Sequence, residues 1–163
     1  MKVEQLMIRQ VETCTPGDSL NVAAQAMWEH DCGCVPVVEW EDGGARVVGM
    51  LTDRDVCMAA YTQGRPLTDI RVESAMAREV RSCRSTDTLG TVLKVLEQNQ
   101  LHRLPVLDQH DHLIGVLSLS DAAREAGRQH GRSSKDVTET RLGEVLQAIS
   151  APRTPHAVAV AAA

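Results

Sequence analysis

Two short constellations in this 163-residue sequence hold side chains suited to chemistry: Thr52-Asp53-Arg54-Asp55 and Ser118-Leu119-Ser120-Asp121. In each, a hydroxyl precedes a carboxylate by three residues. An ionised Asp only accepts hydrogen bonds, and its two oxygens can take two donors at once. Free N–H groups at a helix start would add donors for an anion. The same spacing is also that of a capping box, Ser/Thr-x-x-acid, which merely starts a helix. Both readings stand at this point. Arg54 and Arg103 could neutralise phosphate, and a guanidinium pairs with phosphate bidentately.

Other reactive groups form no recognisable machinery. Asp53 and Asp55 sit side by side on one helix start and are not a paired acid and base. No nucleophile, base and orienting group fall at a known spacing, so the sequence does not read as an enzyme. The five cysteines are Cys14, Cys32, Cys34, Cys57 and Cys83. Cys32-x-Cys34 is not the C-x-x-C of common zinc ribbons and has no matching second pair. The Cys residues read mainly as small buried hydrophobes. A metal site at Cys32, Cys34 and a His (His30 or His102), or redox sensing through Cys14 or Cys83, is the alternative.

These groups recur because the chain repeats itself. An offset of 69 residues lays Val3-Glu4 on Val72-Glu73, Met7 on Met76, Cys14 on Cys83, Asp18 on Asp87 and Pro36-Val37 on Pro105-Val106. After a longer loop in the first copy, Glu39 to Arg46 against Asp108 to His112, the offset drops to 66, and Gly49, Leu51 and Asp55 match Gly115, Leu117 and Asp121.

Each copy predicts the order β-α-β-β-α. Val11 to Thr15 and Val80 to Arg84 read as first strands. Asp18 and Asp87 read as N-caps. Leu20, Ala23, Ala24 and Met27, and likewise Leu89, Val92, Leu93 and Leu96, follow the spacing of one buried helix face. Val35 to Val38 and Leu104 to Leu107 are apolar runs that read as buried strands. Hairpin loops then lead to strands at Arg46 to Leu51 and Leu113 to Leu117. Helices follow at about Asp53 to Tyr61 and Leu119 to Gln129, with Gly64 and Gly131 near their ends. The fold class is α/β (α+β). A unit of about 60 residues buries little apolar surface alone, so two copies packed sheet to sheet about a pseudo-twofold axis would share a core. The units run over 1–65 and 70–128. Beyond the repeats, Gly127 to Lys135 reads as a polar linker, Asp136 to Ile149 as an amphipathic helix, and Arg153 to Ala163, the end of the 129–163 remainder, as an Ala- and Pro-rich disordered tail.

The composition fits a globular protein built without large rings: 43% hydrophobic, 2% aromatic, no Phe. The net charge of −5 argues against nucleic-acid backbone as a partner. No apolar run reaches the roughly 18 residues of a membrane span, and the N-terminal residues do not resemble a secretory signal. The chain therefore reads as cytoplasmic, with reduced thiols.

At residues 3 to 128 the sequence resembles a tandem pair of cystathionine-beta-synthase (CBS) domains, a Bateman module. The resemblance rests on Val35-Pro36-Val37-Val38 with Gly49-Met50-Leu51-Thr52-Asp53-Arg54-Asp55, and on Leu104-Pro105-Val106-Leu107 with Gly115-Val116-Leu117-Ser118-Leu119-Ser120-Asp121. The run Leu101-His102-Arg103-Leu104-Pro105-Val106 is similar to the regulatory gamma subunits of AMP-activated kinase, where His and Arg before the strand Pro meet phosphates. The resemblance implies a nucleotide site in each copy. Asp55 and Asp121 would take the ribose hydroxyls, and Thr52 and Ser118 ribose or phosphate. Arg54, His102 and Arg103 would meet phosphate. Thr13, Val35, Ser82 and Leu104 would line the base pocket. The copies differ, with Gly33-Cys34 standing where the second has His102-Arg103, so the sites are not equal and the second is favoured.

The expected ligand contains adenosine: AMP, ADP, ATP, S-adenosylmethionine or NAD. No cofactor in the catalytic sense is implied. A homodimer that signals to a separate effector protein is expected; a ligand-free interaction dimer is the alternative. On the sequence alone, Asp121→Ala should weaken nucleotide binding with little loss of folding, as titration calorimetry and urea unfolding would show.

Overall fold

The structure, a computed structural model, describes residues 1–128 and 139–151. The first repeat contains α1 (Leu20–Glu29), β1 (Cys34–Glu41), β2 (Gly44–Thr52) and α2 (Asp53–Gln63). The second contains β3 (Cys83–Arg84), α3 (Leu89–Asn99), β4 (Arg103–Leu107), β5 (Leu113–Ser118) and α4 (Leu119–Arg128), and is followed by α5 (Glu139–Ile149). Gly64 closes α2 in the left-handed region, at φ 59°. Gly131, most of the expected linker and the tail beyond Ala151 lie outside the described residues. Gly127 belongs to α4 rather than to the linker.

The helix faces are those the spacing predicts. Leu20, Ala23 and Met27 are buried on α1, and Leu89, Val92, Leu93 and Leu96 on α3. The caps are one residue later than expected. Ser19 and Thr88 are the N-caps. Asp18 instead accepts from the Thr15 amide at 2.7 Å, and Asp87 from the Arg84 amide at 2.8 Å. Each carboxylate thus closes the turn that leads into the helix.

The first strands are shorter than predicted. Cys14 makes a lone parallel bridge to Val37, and β3 has two residues, pairing with Val106 and Leu107. The proline in the neighbouring strand explains this. Cys14 donates to the Pro36 carbonyl and accepts from the Val38 amide. The next rung would need an N–H from Pro36, which has none; Pro105 imposes the same stop beside Cys83. β1 and β2 form a hairpin closed at Glu41 and Gly44, and β4 pairs antiparallel with β5.

The segment that opens each repeat does not pack on its own repeat. Val3 and Met7 lie in the core of the second, among Leu89, Val92, Leu93, Leu104 and Leu117. Ile70, Val72 and Met76 lie in the core of the first, with Leu20, Val35 and Leu51. The exchange is symmetric. The Val3 amide donates to Asp87 O at 3.0 Å, and the Val72 amide to Asp18 O at 2.9 Å. Ile8 exchanges both backbone hydrogen bonds with Val116, and Ala77 does so with Met50. On the pseudo-twofold axis itself, Arg46 of β2 bridges His112, the residue that matches it in the second repeat. His112, at the end of the second repeat's hairpin loop, is half-buried there, against Gly44.

The exchange requires glycine at two equivalent positions. A Cβ on Gly49 would lie 2.7 Å from Met76 Sδ and 3.1 Å from Ala77 O; one on Gly115 would lie 2.8 Å from Ile8 O and 3.0 Å from Met7 Sδ. The motif glycines therefore admit the opposite repeat's lead segment against the strand.

α5 packs on its own molecule, against α3 and α4, burying Val145 and Ile149 in the second core. Its partner on α3 is Glu97, ion-paired with Arg141. The aromatic residues stay outside: Trp28 is 87% exposed, Tyr61 81% and Trp40 71%. No helix among the described residues is long and apolar enough to cross a membrane.

Gly115→Val should lower stability by about 1–3 kcal/mol through this overpacking, measured by urea unfolding. Gly17→Ala, where a Cβ meets nothing within 4 Å, should leave the midpoint unchanged.

Candidate functional site

The two hydroxyl–carboxylate pairs stand at the junctions β2–α2 and β5–α4. Thr52 is the N-cap of α2. Asp55 Oδ2 accepts from the Thr52 amide at 2.9 Å and hydroxyl at 2.7 Å, and the Asp55 amide donates back to Thr52 Oγ1 at 3.2 Å. Ser118 and Asp121 repeat this at 2.8, 2.6 and 3.2 Å. The capping box is therefore real in both repeats. The second oxygens differ. Asp55 Oδ1 has no hydrogen-bond partner among the described residues, whereas Asp121 Oδ1 is ion-paired with Arg124 one turn along α4. Asp121 is only 6% exposed. The capping role revises the expectation that Asp121→Ala spares folding: loss of the box costs about 1–2 kcal/mol. Asp121→Asn, which keeps an acceptor oxygen for the Ser118 amide, is the cleaner probe.

A cleft of about 1300 Å³ opens between the repeats on the α4 side. Its walls are the lead segment from Ile8 to Glu12, the α1–β1 loop from His30 to Cys34, the start of β4, the β5–α4 junction, and α5. It brings together His102, Arg103, Ser118 and Asp121 of the expected set, with Ser120 and Arg124 beside them. Arg103 makes no ion pair among the described residues. Its guanidinium lies beside Gly33, near Asp53, so it reaches across to the first repeat. His30 faces Glu12 at 3.6 Å on the same wall.

Other expected residues lie elsewhere. Val35 and Leu104 are fully buried in the two cores and do not line this cleft. An alternating strand must commit one face to the core, and these residues are on that face. Thr13, Thr52, Arg54, Asp55 and Ser82 are not among the lining residues of this cleft. A smaller cavity of about 360 Å³ in the first repeat includes Asp53 but none of them. Arg124, Ile8, Leu142 and Leu146 were not foreseen. Arg124 sits one helical turn after Asp121, a spacing visible in the sequence; the others reach the cleft through tertiary placement alone.

The fold and repeat are those of a known family. The CBS domain description matches residues 3–61 and 69–128. The chain belongs to the CBS-domain family. It is 35% identical over 121 residues to the CBS domain-containing protein YhcV of Bacillus subtilis, covering 74% of this chain and 82% of YhcV. Among solved structures, Hypoxic Response Protein I with two coordinated zinc ions superposes with a TM-score of 0.67 at 28% identity, over 76% of this chain and 98% of that one. CBSX2 in complex with AMP superposes with a TM-score of 0.67 at 21% identity, over 79% and 98%.

The cysteines divide by environment. Burial, then the nearby Asp18 carboxylate, pushes the Cys14 thiol up to about 12; burial and Asp87 do the same to Cys83, also to about 12. Burial raises Cys34 too, partly offset by the neighbouring Arg103. Cys57 is exposed. Among the described residues, no three His, Cys, Asp or Glu side chains gather to hold a metal. Thiolate is the nucleophile, and a thiol raised from 9 to about 12 holds roughly a thousandfold less of it at neutral pH. Native protein should label rapidly at Cys57 and negligibly at Cys14 and Cys83, followed by thiol titration with peptide mapping.

Proposed function

We propose that this chain is a regulatory module that binds an adenosine-containing nucleotide between its repeats, without turnover, and signals by a change in their arrangement. The observation that carries the reading is the cleft holding Ser118, Asp121, His102 and Arg103 together. A ribose diol suits Asp121, whose second oxygen becomes available as Arg124 swings out. Arg124 is itself largely exposed and can follow its charge to a phosphate. Arg103, without an ion pair among the described residues, suits phosphate as well. That CBSX2 is seen with AMP supports this ligand class. AMP, ADP and ATP fit best, because S-adenosylmethionine offers the arginines no phosphate; NAD is the larger alternative.

Asp55, with Thr52 and Arg54, is proposed as a second, weaker ribose site in the first repeat. The module is proposed to act in the cytoplasm as a homodimer read by a separate effector protein. A vacant interaction dimer is the competing reading. A cysteine-based redox sensor is disfavoured by the raised thiols of Cys14 and Cys83. The zinc of Hypoxic Response Protein I has no cluster to match it among the described residues.

Titration with AMP, ADP, ATP and NAD should raise the unfolding temperature progressively, with about 2.7 kcal/mol of stabilisation at a hundredfold excess over Kd. Arg103→Ala should lower nucleotide affinity about 10- to 100-fold, the worth of a charged hydrogen bond. Asp121→Asn should do likewise with little change in unfolding midpoint. Absence of stabilisation by any of the four nucleotides would support the vacant dimer instead.

A further inference from the structure

We propose that α5 completes the ligand cleft, its Leu142–Leu146 face forming the apolar wall for the base, so that docking of α5 and occupancy of the cleft are thermodynamically linked. The proposal rests on the nucleotide reading above and deepens it.

α5 divides its apolar residues between two tasks. Val145 is fully buried and Ile149 nearly so, and both belong to the core of the second repeat. Leu142, Gly143 and Leu146 lie one position round the helix and line the cleft. Leu146 remains 51% exposed, although the helix already has a core-facing stripe on which to dock. A Cβ on Gly143 would meet nothing within 4 Å, so the helix has an open notch on its cleft-facing side. Ile8 and Val116 contribute further apolar surface to the same cleft. Ligand sites are largely apolar with a few placed polar groups. The β5–α4 junction supplies the polar groups, and α5 adds Leu142 and Leu146 to the apolar surface of Ile8 and Val116.

Among the described residues α5 is attached through Val145, Ile149, partly buried Leu142, the Arg141–Glu97 ion pair, and the Gln100 amide donating to Ala148 O and Ala151 O, each at 3.2 Å. A base lying on Leu146 would add to that attachment. By linkage, the factor by which bound ligand favours docked α5 is the factor by which docked α5 raises ligand affinity. Nothing equivalent to α5 covers α1 and α2 among the described residues, so the linkage belongs to the second repeat's site.

The test uses the full chain with AMP and ATP as probes. Gly143→Leu should fill the notch and weaken nucleotide affinity at least tenfold. Leu146→Asp should weaken affinity similarly, with an unchanged urea midpoint because the side chain is half exposed. In wild-type protein, amide hydrogen exchange over residues 139–149 should slow when nucleotide is added. If both Gly143→Leu and Leu146→Asp bind as wild type, or if exchange in α5 ignores the nucleotide, this inference is overturned while the nucleotide reading stands. If wild-type protein binds neither nucleotide, the nucleotide reading itself falls.

Discussion

The structure depends on the exchange of lead segments between repeats. Each repeat finishes its hydrophobic core with a valine and a methionine from the start of the other, and a strand glycine on each side lets backbone meet backbone. Neither half is whole alone, which is why a unit of this size persists as a pair. The same exchange carries residues 8–12 across the molecule to form one wall of the cleft. Core completion and site construction are thus one event in the folding of this chain.

The acidic residues of the two motifs serve structure first. Each carboxylate commits one oxygen to the start of its helix, a role that persists whether or not a ligand is present. What distinguishes the copies is the other oxygen. In the first repeat it lacks a hydrogen-bond partner among the described residues; in the second it is held by Arg124.

Much of this was legible in the sequence. The duplication, the helix faces and the order of elements follow from spacing, and the match of Gly49 with Gly115 marks positions that proved sterically essential. Three features were not legible. Cap identity slid by one residue because Asp18 and Ser19, like Asp87 and Thr88, are both competent caps, and only the path of the turn chooses between them. Strand length failed because the missing N–H of Pro36 and Pro105 acts on a different strand from its own. The orientation of some site candidates was not legible: a residue beside a motif proline looks equally able to face cleft or core, and the side chains of Val35 and Leu104 lie in the core. The contribution of Leu142 and Leu146 depends on where a helix beyond the repeat comes to rest, which no local pattern encodes.

The outward placement of every aromatic side chain has an optical consequence. Trp28, Trp40 and Tyr61 already stand largely in solvent in the folded protein, and the core contains only aliphatic and sulfur-bearing side chains. The interior is therefore nearly silent to ultraviolet spectroscopy. Tryptophan emission would change little as the chain melts, yet would respond when another surface covers Trp28 or Trp40. For this molecule, intrinsic fluorescence is a gauge of contact rather than of folding.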